Sequence, residues 1–111
     1  MKIFFLTFII FTRVFFQIKA QTVFKVDRKS EADIKVFVTK SKSDADLLVF
    51  EVPRKSEADR DGLWFFVKYK SEAKKKIYFT DLKSEADLKV FFVKYKSEAG
   101  WRNQSKIGVL K

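Results

Sequence analysis

The side chains that could do chemistry in this chain are hydroxyls, carboxylates and amines. Its 111 residues include no histidine and no cysteine. The usual general base, the usual thiol nucleophile and most transition-metal ligand sets are therefore missing. Hydrolysis by a Ser-His-Asp arrangement is excluded, and so are stabilising disulfides.

Two local patterns are candidates for a catalytic or metal site. Ser71-Glu72-Ala73-Lys74 fits the Ser-x-x-Lys pattern of penicillin-recognising serine enzymes, but the companion motifs are missing. Glu57, Asp59 and Asp61 have the spacing of a calcium loop. Lys68, however, stands where that loop requires a bidentate Glu. We therefore predict a non-enzymatic protein with no catalytic residue, no metal and no cofactor, and a small Ser/Lys hydrolase is the least favoured function.

The other carboxylates and lysines belong mainly to a phrase close to Lys-Ser-Glu-Ala-Asp that occurs six times. The serines of successive copies are 13, 13, 15, 13 and 13 residues apart, at Ser30, Ser43, Ser56, Ser71, Ser84 and Ser97. Asp61-Gly62 supplies the two extra residues of the long step and suggests two three-strand halves. Because the acids recur in nearly every copy, structural roles explain them better than acid/base pairs for glycoside hydrolysis do.

Each copy also contains an apolar run, such as Val36-Phe37-Val38 or Val90-Phe91-Phe92-Val93. Such β-branched and aromatic residues favour strands, so we predict one strand of about six residues per copy. In each link, Ser is a good helix N-cap and the Asp that follows suits a short capping box. This pattern predicts one capped helical turn per link.

The length of the links predicts the direction of neighbouring strands. A parallel return along a strand of about 20 Å usually takes a dozen or more residues, and only about seven follow each strand. The predicted fold is therefore all-β: an antiparallel meander of six or seven short strands linked by one-turn helical Ser-Glu-Ala-Asp caps, closed as a small barrel or packed as a two-sheet sandwich. The predicted boundaries are a signal peptide at 1–20, one domain at 21–111, copies at 21–33, 34–46, 47–59, 60–74, 75–87 and 88–100, and a tail at 101–111.

Alternation along the strands predicts the buried face. We expect the core to contain one continuous stripe, formed by Phe24, Phe37, Phe50, Phe65, Tyr78 and Phe91 with Val26, Thr39, Val52, Val67, Thr80 and Val93 beside them. The opposite face changes along the chain, with Lys25, Val38 and Glu51 in the first half and Phe66, Phe79 and Phe92 in the second. A sheet that is apolar on both faces needs cover. A second sheet, barrel closure, the tail with Trp101 or a second copy of the chain would provide it.

Residues 1–20 have the layout of a secretory signal peptide, with a basic start at Met1-Lys2, an apolar stretch to Phe16 and the small Ala20 before the cut. We predict export to the periplasm or the extracellular space. A retained membrane anchor is the alternative, but Arg13 interrupts a stretch that is already short for a span. Cleavage before Gln21 reduces the formal net charge from +10 to +7, because all 14 acidic residues follow Ala20.

A lysine precedes the serine of every link, and in a meander these lysines would gather at the two ends of the sheet. Lys29, Lys55 and Lys83 would share one end. The other, more basic end is the predicted site for an anionic surface, formed by Lys42, Lys70, Lys74, Lys75, Lys76 and Lys96. A solubilising rim paired with neighbouring acids is the alternative. Lys68-Tyr69-Lys70 would also suit nucleic acid, but export argues against that partner.

Tandem strand-Lys-Ser-Glu-Ala-Asp units after a signal peptide, ending in Ser97-Glu98-Ala99-Gly100-Trp101, resemble a group of small exported bacterial proteins known only as a domain of unknown function. The resemblance implies export and a shared fold, and it assigns no catalytic or binding residue. The favoured function is a structural or interaction module of the bacterial envelope, and the alternative is a basic binder of anionic surfaces or polymers. The expected partner is an unknown protein or an anionic envelope component, and a homodimer would also cover an apolar face.

Overall fold

The structure is a computed structural model that describes residues 20–111. The predicted signal peptide lies outside the described residues except for Ala20. One short strand falls in each copy of the repeat, and a seventh follows the last copy. The strands are β1 (Thr22–Lys25), β2 (Ile34–Val38), β3 (Leu47–Glu51), β4 (Leu63–Phe66), β5 (Lys75–Phe79), β6 (Leu88–Phe92) and β7 (Gly100–Trp101).

Strands β1 to β6 form a closed barrel in which every neighbouring pair is parallel. The order around the barrel is β1-β5-β2-β6-β3-β4, and β4 pairs again with β1. The short β7 pairs antiparallel with the start of β3. The all-β class is correct, but the predicted antiparallel meander is wrong.

A large stagger between strands explains how short links can join parallel strands. Ile77 of β5 pairs with Lys25, the last residue of β1, and also with Ile34, the first residue of β2. Strand β2 therefore begins at the level where β1 ends, two strand spacings or about 10 Å away. The link crosses only that distance and does not travel back along a strand. The dozen-residue rule applies to strands in register, so it does not hold here.

The two halves of the chain interleave around the barrel. Each link except the third joins strands that are two places apart, so β1, β2 and β3 occupy alternate places. The third link, which contains Asp61-Gly62, joins neighbouring strands β3 and β4. This single-place step sets β5 and β6 into the gaps left by the first half. Because the interior is filled by side chains, each two-place link must pass outside the strand that it crosses.

The barrel interior contains the opposite face from the one that the sequence predicted. One residue at the middle of each strand is fully buried, namely Val23, Val36, Val49, Trp64, Ile77 and Val90. The second row of the predicted stripe is confirmed as buried, with Val26, Thr39, Val52, Thr80 and Val93 at most 8% exposed, whereas its aromatic row from Phe24 to Phe91 lies half-buried on the outer face. Alternation shows that the two faces differ. The narrow six-stranded interior is filled mainly by branched aliphatic side chains together with Trp64, and the aromatic residues of the predicted stripe lie outside it.

The two ends of the barrel are built differently. At the end where the strands begin, a 3₁₀ helix at Gln104–Leu110 contributes Leu110, which is buried, and Val109 to the core. The tail therefore supplies part of the cover, which was one of the predicted alternatives. At the end where the strands finish, Phe66, Phe79 and Phe92 pack against the core and are partly buried. In the order of the strands they alternate with the final residues of β1, β2 and β3, which are Lys25, Val38 and Glu51.

Each link contains one 3₁₀ turn, at Lys29–Glu31, Lys42–Asp44, Lys55–Glu57, Lys70–Glu72, Lys83–Glu85 and Lys96–Glu98. A helical turn per link was predicted, but its cap was placed wrongly. The serine lies inside the turn, and the N-cap is the residue before the lysine, whose side chain makes no cap hydrogen bond. The repeated Ser-to-Asp spacing therefore has another purpose.

Candidate functional site

The repeated lysines and acids form ion pairs between links, which we call the ion-pair belt. Five lysines each reach an acid of another link, with Nζ to carboxylate oxygen distances of 2.5–3.6 Å. The pairs are Lys70–Glu31, Lys29–Glu85, Lys83–Asp44, Lys42–Glu98 and Lys96–Glu57. They join the links in the order four, one, five, two, six, three, so the belt follows the barrel.

The belt is open at one place within residues 20–111. By the same pattern Lys55 of the third link would pair with Glu72 of the fourth, but these two residues form no ion pair there. Ala20, Lys55, Glu72 and Lys74 instead line a shallow opening. The opening lies beside the third link, which joins the neighbouring strands β3 and β4. This link separates the first passage of the chain around the barrel, β1 to β3, from the second, β4 to β6.

The ion pairs of the belt shift the pKa values of their members in the direction that stabilises the charged forms. A hydrogen bond from Lys70 lowers the pKa of Glu31, and Lys83 does the same for Asp44. The pKa of Glu57 is lowered chiefly by Arg54, which lies three residues before it. The hydrogen bond to Glu85 raises the pKa of Lys29.

The belt predicts how stability depends on pH. A carboxylate with a lowered pKa stabilises the fold fully above its usual value of 4.5 for Glu, and this contribution is lost as the pH falls through the lowered value. Lys29 acts in the opposite sense, since its contribution is present below 10.5 and lost at higher pH. Urea unfolding across a pH series should therefore show stability falling at both extremes. The loss of stability at low pH and at high pH should both become smaller at about 1 M salt, where exposed charges are screened.

A matched pair of variants distinguishes the effect of the ion-pair belt on stability from the general effect of removing a charge. Glu31→Gln removes a paired acid, so the loss of stability at low pH should become smaller. Glu72→Gln changes the same repeat position at a residue that forms no ion pair within residues 20–111, so the loss of stability at low pH should remain. Equal effects of the two variants would contradict a role for the belt.

The repeated aspartates hydrogen-bond to backbone amides of neighbouring strands. Asp33 accepts from the N–H of Lys76, Asp87 accepts from Lys35, and Asp46 accepts from Lys89, at 2.8–2.9 Å. Asp46 is buried and also accepts from the side chain of Asn103 at 3.0 Å. These carboxylates hold the starts of strands together. The capping role predicted from the sequence is wrong, because the amide belongs to another strand.

The structure separates the lysines of the predicted anionic-surface site. Lys42, Lys70 and Lys96 belong to the ion-pair belt. The consecutive lysines lie at the start of β5: Lys74 donates to the Gln21 side chain at 3.1 Å, Lys75 donates to the Lys111 carbonyl at 2.9 Å, and Lys76 is half-buried. The grouping of link lysines at two sheet ends depended on the meander and is replaced by the belt. Binding by these lysines stays a prediction.

Residues of the two patterns that suggested a catalytic or a metal site make structural contacts. Lys74 donates to Gln21, in the geometry already described, and Asp61 accepts a hydrogen bond from the Trp101 indole at 2.8 Å. Glu57 binds Arg54 at 2.9 Å. Across residues 20–111 no group of three or more acids is arranged to hold a metal ion.

A comparison with known protein families assigns the chain to one of them. Residues 20–102 match the family described as the 7(1) septoil knot domain. The chain belongs to this family. No curated protein and no solved structure gave a significant match. The interleaved path of the septoil knot domain, with links passing outside strands of the other half, is consistent with the knot in the family's description.

The septoil knot domain carries a further surface that sequence reasoning missed. Among residues 20–111, four large apolar side chains are exposed, with fractions of 66% for Tyr69 and Tyr95, 55% for Leu82 and 42% for Val38. Tyr69, Leu82 and Tyr95 follow the strand ends Phe66, Phe79 and Phe92 by three residues. Tyr95 lines a groove together with Phe92 and Lys94. We call this the strand-end surface.

A sequence signal for the strand-end surface existed. The position immediately before the link lysine is Arg28, Ser41 and Arg54 in the first half, but Tyr69, Leu82 and Tyr95 in the second. A difference at one repeat position that the fold does not require is a better functional indicator than a residue present in every copy. No helix among residues 20–111 of the septoil knot domain is long and apolar enough to span a membrane.

Proposed function

We propose that this septoil knot domain is a non-enzymatic, exported interaction module of the bacterial envelope, and that the strand-end surface makes its contact. The observation that supports this proposal is a difference between the repeated polar side chains and the exposed apolar side chains. Most of the lysines and acids that recur in the copies bind one another or backbone amides, while three of the four large apolar side chains that are exposed among residues 20–111 lie in the second half. The exposed apolar side chains that recur at one repeat position, Tyr69, Leu82 and Tyr95, are our candidates for the contact.

Photocrosslinking in bacterial cells tests this function. The full chain would be expressed with benzoylphenylalanine placed at Tyr95, or at Ser105 as a control on the exposed face of the tail at the other end of the barrel. We expect the protein in the envelope fraction with Gln21 as its first residue, and an adduct only from position 95.

The other outcomes are equally informative. Retention in the cytoplasm with residues 1–20 attached would contradict export, and equal labelling from both positions would contradict the assigned surface. An adduct of twice the mass would identify a second copy of the chain as the partner. An adduct with a lipid or a different protein would give the partner's class directly.

One observation favours a second candidate, the binding of an anionic surface or polymer by the predicted lysines. Lys76 lies on the outer face of β5, and Lys35 and Lys89 lie on the same face of the next two strands in barrel order. Lys35 and Lys89 therefore extend the basic group that Lys74, Lys75 and Lys76 form at the start of β5. This candidate places the contact at the opposite end of the barrel, so variants at the two ends distinguish it from the first.

A further inference from the structure

We infer that the strand-end surface docks on an anionic lipid bilayer. This inference rests on the proposed interaction function and names the chemistry of its partner. Three features of the surface carry it: the distribution of its apolar side chains, the charges beside them and the half-exposed phenylalanines behind them.

The apolar side chains are distributed around the end of the barrel. The ion-pair belt fixes the order of the links, so the residues before the link lysines follow the order Tyr69, Arg28, Leu82, Ser41, Tyr95 and Arg54. Apolar and polar residues therefore alternate, and the three apolar anchors are spread around the barrel in the links that follow β4, β5 and β6. A protein interface concentrates its binding energy in a central packed patch. Anchors spread around a rim are better suited to a planar surface.

The charges of the same end favour an anionic plane. Lys40, Lys68 and Lys94 are exposed two residues after the ends of β2, β4 and β6, and the structure shows no ion pair for them among residues 20–111. The corresponding acids after β1 and β5 are Asp27 and Asp81. Basic residues therefore exceed acidic ones at this rim, even though Arg54 is paired with Glu57.

A bilayer surface accommodates both kinds of side chain at once. Tyrosine places its ring among lipid headgroups and its hydroxyl in water, and lysine is attracted to anionic lipids. Phe66, Phe79 and Phe92, at the ends of the same strands, are only partly buried, so a contact here would also cover apolar surface. A soluble polyanion would use only the lysines.

Vesicle binding tests the inference on the exported chain, residues 21–111, which contain every pairing that closes the barrel. Cosedimentation would compare vesicles containing phosphatidylglycerol, vesicles of phosphatidylcholine alone, and soluble polyphosphate. We expect binding to the phosphatidylglycerol vesicles and its loss at about 1 M salt, where the Debye length falls to about 3 Å. Binding to phosphatidylcholine vesicles and to polyphosphate should be at least about tenfold weaker.

Two triple variants locate the contact. The combination Tyr69→Ser, Leu82→Ser and Tyr95→Ser removes the anchors, and the combination Lys40→Glu, Lys68→Glu and Lys94→Glu reverses the rim charge. Each should weaken binding at least about tenfold. The matched control, Lys74→Glu with Lys75→Glu and Lys76→Glu, makes the same charge change at the opposite end and should retain more of the binding. Lys76→Glu alone serves as a second control if the triple control does not fold, and thermal melting checks every variant.

Specific outcomes would overturn the inference. Absence of vesicle binding at low salt would overturn it while leaving the interaction module intact, because photocrosslinking from position 95 identifies a protein partner independently. Binding that survives the loss of the three anchors, or that is equally strong to polyphosphate, would reduce the contact to general charge attraction. Loss of binding only in the Lys74, Lys75 and Lys76 variant would assign it to the second candidate.

Discussion

Replacing Trp64 with alanine is expected to reduce the free energy of unfolding by about 3–5 kcal/mol. Trp64 is the largest fully buried side chain in the described part of the barrel, and its ring meets the edges of Phe66 and Phe92 with centroids 6.3 Å apart. Its indole N–H also donates to the carbonyl of Asp61 at 2.7 Å. Truncation would leave a cavity that the closed ring of strands cannot readily collapse. The loss is a large part of the stability of about 5–15 kcal/mol usual for a domain.

Urea denaturation followed by circular dichroism measures this change without relying on tryptophan fluorescence. Tyr95→Ala is the control, because it removes an aromatic side chain that is 66% exposed. Its effect should stay within about 0.5 kcal/mol. A change below about 1 kcal/mol for Trp64→Ala would show that the interior is not packed as described.

Replacing Gly62 with alanine is expected to destabilise the domain by at least about 1–3 kcal/mol. A Cβ atom on Gly62 would lie 2.8 Å from the backbone nitrogen of Gly100 and 2.8 Å from the carbonyl oxygen of Leu48. Both neighbours are backbone atoms of β7 and β3, so relief requires the strands to move. The Gly62 carbonyl also accepts from the N–H of Phe50 at 2.8 Å, which ties the same point to the sheet.

Gly108→Ala is the matched control for this substitution. No atom lies within 4 Å of the position that its Cβ would occupy, and the residue is in the 3₁₀ helix of the tail. Thermal and urea unfolding of the two variants should therefore differ clearly. Equal stability would mean that the third link does not approach β7 and β3 as closely as the structure shows.

The candidate site was only partly predictable from the sequence. The repeated Lys-Ser-Glu-Ala-Asp phrase predicted that lysines and acids would be neighbours, and a paired rim was one of the two interpretations. The partners themselves, such as Lys29 with Glu85, are 56 residues apart and depend on which links become neighbours. Tyr69 was noted only as an aromatic residue between lysines, because its exposure follows from the path of the links.

The sequence alone was enough to predict the local structure: one strand per copy, one helical turn per link and the all-β class. These follow from residue preferences and from spacings within about 13 residues. Tertiary structure alone decided the parallel direction, the buried face and the partners of the lysines. The reason is the stagger of the strands, which lets an eight-residue link such as 26–33 join parallel neighbours of a third strand. Stagger is a property of barrel closure and involves strands from both halves of the chain, so no single copy of the repeat contains it.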